Sequence, residues 1–414
     1  MKFLLINDNE ELTGGSAVVF ESQARLLKEL GHKVFTFCFS TAFWQDEHNL
    51  RFPNHKKWWS RKLFKFTFHP KVYLVLRSFI CKIQPDVIVI HNNALYPASI
   101  LLACRGYPVV NEVHDFYLVC PTIWAVQKRT LMTCPGGIGL KCTKEGCVNL
   151  PALLFFHWPL FFMRRIILKK VLCAYIAPSQ VLVEYLRRFG YPAILLRNPV
   201  PYFKRINLLL KHESSAVYTA ENADNAYILY VGLLSDNKGV DYLIKAFAKV
   251  HAVCPWLRLK VAGQGISRKA LEHLACELKV AKAVDFLGIV PRDKLPMLYK
   301  KAIALIVPSI GQENFPTVIS EAMNFGCPVI GSARGGIPEL LGDNERGLLF
   351  RPGDVDDLSD KILLLLRDVA LREKLSRQAK LYVRTMLSPQ NYIKKFIEII
   401  HDILTANRLD RRHA

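Results

Sequence analysis

The sequence predicts an α/β protein built from two doubly wound parallel-sheet domains in tandem, and three observations carry that expectation. The first is length: at 414 residues the chain exceeds the roughly 250–300 residues at which one hydrophobic core stops growing. The second is the alternation of short apolar runs rich in Val, Ile and Leu with segments of helical spacing. Strands that are apolar nearly throughout are buried on both faces, as they are when helices cover both sides of a parallel sheet. The third is that this alternation comes in two series separated by a stretch with neither pattern.

In chain order, "KFLLIND" and "HKVFTFCFS" read as strands on either side of the helix "SAVVFESQARLLKELG", which Gly31 closes. "DVIVIHN" and "YPVVNEVHD" continue the series, and residues 1–200 make the first domain. Residues 201–226, from "PYFKRINLLL" to "ENADNA", read as a linker. The second domain, residues 227–388, runs through "YILYVGLL", "LRLKVAGQG", "AVDFLG", "IALIVPS", "CPVIGSA" and "RGLLFRPGD". The amphipathic tail, residues 389–414, is expected as a helix packing back on the first domain. Open α/β sheets bind ligands beyond the carboxyl ends of their strands, so two such domains facing each other frame a cleft suited to a two-substrate transferase.

A hydrophobic share of 51% with 22 Gly and 22 Pro is a globular balance and excludes a disordered chain. The net charge is +21, and between Arg51 and Lys82 nine basic residues occur with no acidic one, among Phe52, Trp58, Trp59, Phe64, Phe66, Phe68, Tyr73 and Phe79. That mixture suits an anionic membrane surface; single-stranded nucleic acid is the weaker alternative. A helix turning its aromatic residues to the core weighs equally with the membrane. No segment reads as a signal peptide, so a cytoplasmic protein, peripheral on the inner face of the membrane, is expected. "LPALLFFHWPLFFMRRIILKK" is interrupted by Pro159, Arg164, Arg165, Lys169 and Lys170. It falls short of the roughly 20 uninterrupted apolar residues of a spanning helix and reads as able to lie on a bilayer.

Three motifs of the second domain carry chemistry. After "ILYVG", Gly232 permits a tight turn, and Lys238 with Gly239 stands just before a helix, where an ammonium and free N–H groups meet a diphosphate. "VAGQG" places Gly263 at another strand end, where backbone approaches a nucleotide. In "PSIGQENFPTVISEAMNFG", Glu313 lies in the loop after a strand, Pro316 and Thr317 open a helix, and Glu321 follows about one turn inside. Carboxylates accept from paired hydroxyls, and the helix start between them holds phosphate. The plainer reading makes Glu313 a helix-dipole partner and Glu321 a partner for a lysine.

The run "PSIGQENFPTVISEAMNFGCPVIGSARGGIPELL" resembles the signature of glycosyltransferase family 4, retaining nucleotide-sugar transferases of GT-B fold with two Rossmann-like domains. The resemblance extends along nearly the whole chain through "TGGSAVV", "NEVHDF", "YIAPSQ", "LRNPV" and "GLLSDNKG". It implies a UDP- or GDP-sugar donor and a saccharide or lipid-linked acceptor, as in cell-surface polysaccharide or glycolipid synthesis. It further implies that Glu313 contacts the donor sugar, Glu321 the ribose and Lys238 the diphosphate, with amides near Thr317 and Val318 on the phosphates. Gly14 and Gly15 would give close backbone approach, and His114 would line the reacting centre. The family usually has an arginine where this chain has Leu233, a loss that weakens leaving-group stabilisation unless Arg334 compensates. No Asp-x-Asp motif ends a strand, so no metal is expected to be obligatory, and retention implies same-face attack.

Cys120, Cys134, Cys142 and Cys147 fall in one glycine-containing stretch just after His114. In a reducing compartment four thiolates suit a structural tetrahedral zinc, and unpaired buried cysteines are the equal alternative. Beside the transferase stand a non-catalytic nucleotide-sugar or nucleic-acid binding protein on the same scaffold, and a phosphorylase or epimerase, for which no pyridoxal lysine site is evident.

Overall fold

The computed structural model describes residues 1–8, 15–40, 43–53, 68–91, 97–130, 132–201 and 226–413. Gly14, residues 54–67 of the basic-aromatic stretch and the linker but for its two ends lie outside the described residues. The chain divides into one compact unit of residues 1–199 with 389–414 and a second of residues 200–388.

In the first unit the strands are β1 (Lys2–Asn7), β2 (Lys33–Ser40), β3 (Trp44–Gln45), β4 (Asn49–Pro53), β5 (Val87–His91), β6 (Val109–Glu112), β7 (Ala174–Ala177) and β8 (Ala193–Leu195). Their order is β3-β4-β2-β1-β5-β6-β7-β8, parallel except for the short edge pair β3–β4. The register puts Ile6 beside Phe37 on one side and Ile90 on the other. Successive side chains alternate across the sheet. Leu4 and Ile6 of β1 therefore meet Phe79 and Ile80 of helix Pro70–Ile83. Phe3 and Leu5 meet Leu26 and Leu27 of helix Gly15–Glu29 and Phe396 and Ile400 of the terminal helix Pro389–His413. The tail is thus part of this unit's core.

The second unit carries β9 (Tyr227–Val231), β10 (Arg258–Ala262), β11 (Val284–Gly288), β12 (Ala304–Val307), β13 (Val329–Ser332) and β14 (Leu348–Phe350). Their order, β11-β10-β9-β12-β13-β14, is the doubly wound order 3-2-1-4-5-6, whose direction reverses between β9 and β12. Ile228 and Tyr230 face a layer with Phe247 and Leu358; Tyr227 and Leu229 face Ile319, Met323 and Ala379. Caps end the helices where the sequence supplies an oxygen, as Asp354 accepts from the Asp356 and Asp357 amides.

Two local readings change. In the basic-aromatic stretch, Asn49–Pro53 is a strand, and Phe52 and Phe79 are core residues with Tyr73 packed against them. The described rings, Phe68 apart, turn inward because β4 and helix Pro70–Ile83 each present one apolar face to the sheet. Pro316 is the cap rather than the first residue of its helix, which spans Thr317–Asn324.

Candidate active site

In the second unit the sheet's switch point lies between β9 and β12, and the loops leaving these two strands build one constellation. The loop after β9 makes a single 3-10 turn, Asp236–Lys238, ended by Gly239 in the left-handed conformation at φ 66°. A Cβ there would stand 2.1 Å from the Pro308 carbonyl oxygen, so only glycine lets the two loops touch. The Ile310 and Gly311 amides both donate to the Asn237 carbonyl, at 3.0 and 2.9 Å. So pinned, Lys238 Nζ donates to Glu313 Oε1 at 2.6 Å, and Ser309 Oγ donates to the same oxygen at 2.7 Å. Ser309 is held in turn by the Ser332 hydroxyl, which donates to its carbonyl at 2.6 Å.

Thr317–Asn324 follows Glu313 closely and has no side-chain cap on its first amides, so Thr317 and Val318 open a helix with the positive end of its dipole exposed to any anion placed there. Glu321, four residues further, is 4% exposed. Its carboxylate accepts from Tyr299 OH at 2.9 Å and from Arg292 Nη2 at 3.3 Å. Burial raises its pKa against the opposing pull of Arg292. The two glutamates thus have different surroundings, one at the loop surface with Lys238 and one inside with Arg292 and Tyr299. Gly232 donates its amide to Ala262 O, and a Cβ on Gly263 would stand 1.8 Å from the Gly232 carbonyl oxygen. These glycines set the β9 and β10 loop ends in backbone contact. Leu233 is 55% exposed, and its carbonyl accepts from Tyr230 OH. Arg334 lies on the turn after β13, two residues before Gly336, whose amide donates to Glu313 O at 2.6 Å.

In the first unit His114 sits just beyond β6 and belongs to a buried polar cluster that the sequence reading missed. His91 ends β5 and Glu112 ends β6, and with His114 their ligand-type atoms lie within 4.8 Å of one another. Gln23, fully buried on helix Gly15–Glu29, donates to the Glu112 carboxylate and to Tyr392 OH of the terminal helix. With its amide hydrogens so used, Gln23 Oε1 accepts from His91 Nε2 at 2.7 Å. Neutral His91 then carries its lone pair on Nδ1, which faces His114 Nε2 at 3.1 Å. The chain Gln23–His91–His114 therefore fixes the tautomer of His114, with the proton on Nε2 and the lone pair on Nδ1. Gly15 begins the helix that carries Gln23. The available signal for His91 was a polar residue ending an otherwise apolar strand, and for Glu112 a polar pair, Asn111 and Glu112, ending one; nothing local announces Tyr392.

Burial dominates the electrostatics of this cluster. It depresses His114 to about 4, holds His91 well below the usual imidazole range, and pushes Glu112 up to about 7. Between its ordinary 4.5 and about 7, Glu112 binds a proton in the folded chain that it lacks unfolded, so its contribution to stability falls as pH rises through that window. The depressed histidines act oppositely. In a comparison of wild type with Glu112→Gln their effect is common to both proteins and drops out. Glu112→Gln should gain stability relative to wild type progressively from pH 4.5 to about 7 and no further above it. Denaturant titrations of both proteins across pH 4–8 check this; a pH-independent difference contradicts it.

Two family models match the chain: Glycosyltransferase Family 4 over residues 13–201 and Glycosyl transferases group 1 over residues 213–382. Among curated proteins the chain is 35% identical over 179 residues to an uncharacterized glycosyltransferase of Methanocaldococcus jannaschii, covering 42% of this chain and 45% of that protein. It is 31% identical over 221 residues to an α-1,4-N-acetyl-D-galactosaminyltransferase of Campylobacter jejuni whose named acceptor is an undecaprenol-diphosphate-linked saccharide, covering 50% of this chain and 60% of that protein. The chain spans about half or less of the length of the first curated relatives it matches. Among solved structures, sucrose-phosphate synthase of Thermosynechococcus elongatus superposes with a TM-score of 0.73 at 19% identity, over 98% of this chain and 100% of that one. The Anabaena protein HepE, solved with UDP-glucose, gives 0.69 at 17% identity, over 97% and 99%. At these identities the structural likeness concerns the fold, which is GT-B.

Proposed function

The chain belongs to glycosyltransferase family 4, and from that premise we propose that it is a retaining transferase. It would move a sugar from a nucleoside-diphosphate donor to a saccharide or lipid-linked acceptor, in synthesis of a cell-surface polysaccharide or glycolipid. The observation that supports this best is the placement of Lys238, Glu313 and the uncapped start of Thr317–Asn324 at the switch point of the second sheet. In this reading Lys238 and the Thr317 and Val318 amides take the charge that grows on the departing diphosphate, without an obligatory metal. Glu313 exchanges part of its contact with Lys238 for donor hydroxyls, and Glu321, kept in place by Tyr299 and Arg292, faces the ribose. Attack on the same face of the sugar as the departing diphosphate accounts for retention. HepE's complex with UDP-glucose favours a UDP donor over GDP.

Exposed Leu233, where the family has arginine, keeps a second reading alive: a nucleotide-sugar binding protein without turnover. Thermal-shift screening against UDP- and GDP-sugars, followed by donor turnover with and without chelator, separates the two. Stabilisation with turnover supports the transferase, and stabilisation without turnover supports the binder. The absence of any shift overturns both.

We further propose that the protein rests on an anionic membrane through the helical run that begins at Leu150. Contrary to the expectation drawn from its proline and basic residues, this run, Leu150–Leu168, is by length and composition the one helix among the described residues long and apolar enough to cross a bilayer. Leu153, Leu160, Leu168 and Val171 are buried, whereas Leu154, Phe155, Phe162 and Ile166 are 40–74% exposed. A helix committed on one face to its own domain suits lying in the interface, with its outward rings among acyl chains. The sequence from Cys147 to Val183 contains no acidic residue and includes Arg164, Arg165, Lys169 and Lys170, which complements anionic headgroups. Phe155→Glu with Phe162→Glu should reduce flotation with phosphatidylglycerol-containing vesicles by at least about tenfold while leaving the melting curve in place. Undiminished flotation removes the proposal.

A further inference from the structure

The stretch Phe116–Val148 follows His114 almost at once and has little regular structure: a four-residue helix, Lys141–Lys144, and one isolated antiparallel pair, Val126 with Thr133. Loops of this length without their own secondary structure are uncommon and need a clamp. The backbone makes the same demand. Ile123 stands at φ 64° and Ala125 at φ 45°, left-handed values that disfavour a side chain and persist only where the surroundings over-determine them.

The turns of this loop place its four cysteines in one neighbourhood, although no three of their sulfur atoms lie within 4.8 Å of one another. The Val126–Thr133 pair sets Cys134 opposite Ala125, whose carbonyl accepts from the Cys134 amide at 2.8 Å. Cys147 Sγ lies 3.9 Å from the carbonyl of Val126, the next residue. The Cys147 amide donates to Cys142 O at 2.9 Å, closing a turn that puts these two side by side. Cys142 Sγ lies 3.8 Å from Gly137 O, and the Gly137 amide donates to Val119 O at 2.9 Å, next to Cys120. Consistent with this convergence, the Cys142 thiol is pushed up by burial and further by the other three cysteines. All four are free thiols.

We propose that Cys120, Cys134, Cys142 and Cys147 bind one structural zinc ion that clamps this loop. Four sulfur donors from one chain segment, with no carboxylate among them, are the set a closed tetrahedral zinc site uses. On binding, each thiol loses its proton to solvent and its S–H contact to a loop oxygen, and the sulfurs turn inward onto the metal. Lys141, which already favours the ionised form of Cys134, offsets part of the resulting negative charge. The tighter group His91, Glu112 and His114 is the weaker candidate, because both ring nitrogens of His91 and Nε2 of His114 are engaged in the relay from Gln23. This inference is independent of the proposed activity.

The test is elemental analysis of the purified full chain, with cobalt exchange and thiol titration. About one zinc per chain is expected. The cobalt-exchanged protein should show tetrahedral d–d bands with thiolate charge transfer, and four of the eleven cysteines should be protected from a thiol reagent until the metal is removed. Cys142→Ser with Cys147→Ser should lower zinc content at least about tenfold, whereas Cys276→Ser, at an exposed position, should leave it unchanged. Should the double variant fail to fold, the cobalt spectrum of the wild type still decides. Zinc below about a tenth of an equivalent, bound iron instead of zinc, a cobalt spectrum without thiolate bands, or disulfides among these residues would each overturn the proposal.

Discussion

Lys238→Ala is expected to lower kcat/KM for donor turnover by about 100- to 1000-fold, the range seen when one preorganised donor to a developing charge is removed. In the proposed role Lys238 would be held by backbone: Gly239 brings its turn against Pro308, and Asn237 O holds the Ile310 and Gly311 amides. Its removal acts twice. The cation for the diphosphate disappears, and Glu313, whose side chain is 14% exposed, keeps a negative charge that repels the incoming anion. Lys238→Ala combined with Glu313→Gln should therefore bind nucleoside diphosphate better than Lys238→Ala alone, although turnover stays low. Steady-state kinetics with a thermal-shift titration of UDP and GDP read both effects. A Lys238→Ala enzyme with unchanged kcat/KM would remove the site assignment.

The second large effect is on stability. Gly335 stands at φ 56°, and a Cβ there would lie 1.9 Å from the Glu313 carbonyl oxygen, which also accepts the Gly336 amide. The clash is with backbone, so no rotamer relieves it, and the left-handed conformation itself disfavours alanine by about 1–2 kcal/mol. Gly335→Ala should destabilise the second unit by about 3 kcal/mol, roughly 6–12 °C in Tm for a unit of this size, and displace Glu313. Gly31→Ala is the control: Gly31 is also left-handed, at φ 78°, but nothing lies within 4 Å of its added Cβ, so only the conformational term of about 1 kcal/mol remains. Calorimetry that shows equal losses for the two variants would contradict the close contact.

Much of this architecture was legible because parallel strands covered on both faces leave a loud signal. "KFLLIN" and "YILYV" need no partner to be read as buried strands. The placement of Lys238, Glu313 and Glu321 at strand ends and a helix start was legible because glycines and apolar runs mark those ends, where ligands meet backbone in such folds; their roles are the ones proposed above. The difference between the two glutamates was not, since Tyr299 and Arg292 approach Glu321 from another helix and loop. Gln23 and Tyr392 were beyond reach for the same reason: their hydrogen bond joins residues 369 positions apart, a separation that local periodicity does not encode. The basic-aromatic stretch stayed open between membrane and core because composition counts rings without saying which way they turn; of its described rings, Phe52 and Phe79 turn inward.

The closing helix Pro389–His413 has a kinetic consequence. Phe396 and Ile400 are fully buried against β1, a strand synthesised long before that helix. Residues 200–388 are all synthesised before that partner arrives, so the second unit is the earlier one able to reach its native state during translation. The first must wait with one side of its sheet unsealed, and this is where a chaperone that recognises uncovered apolar surface would act on the nascent protein.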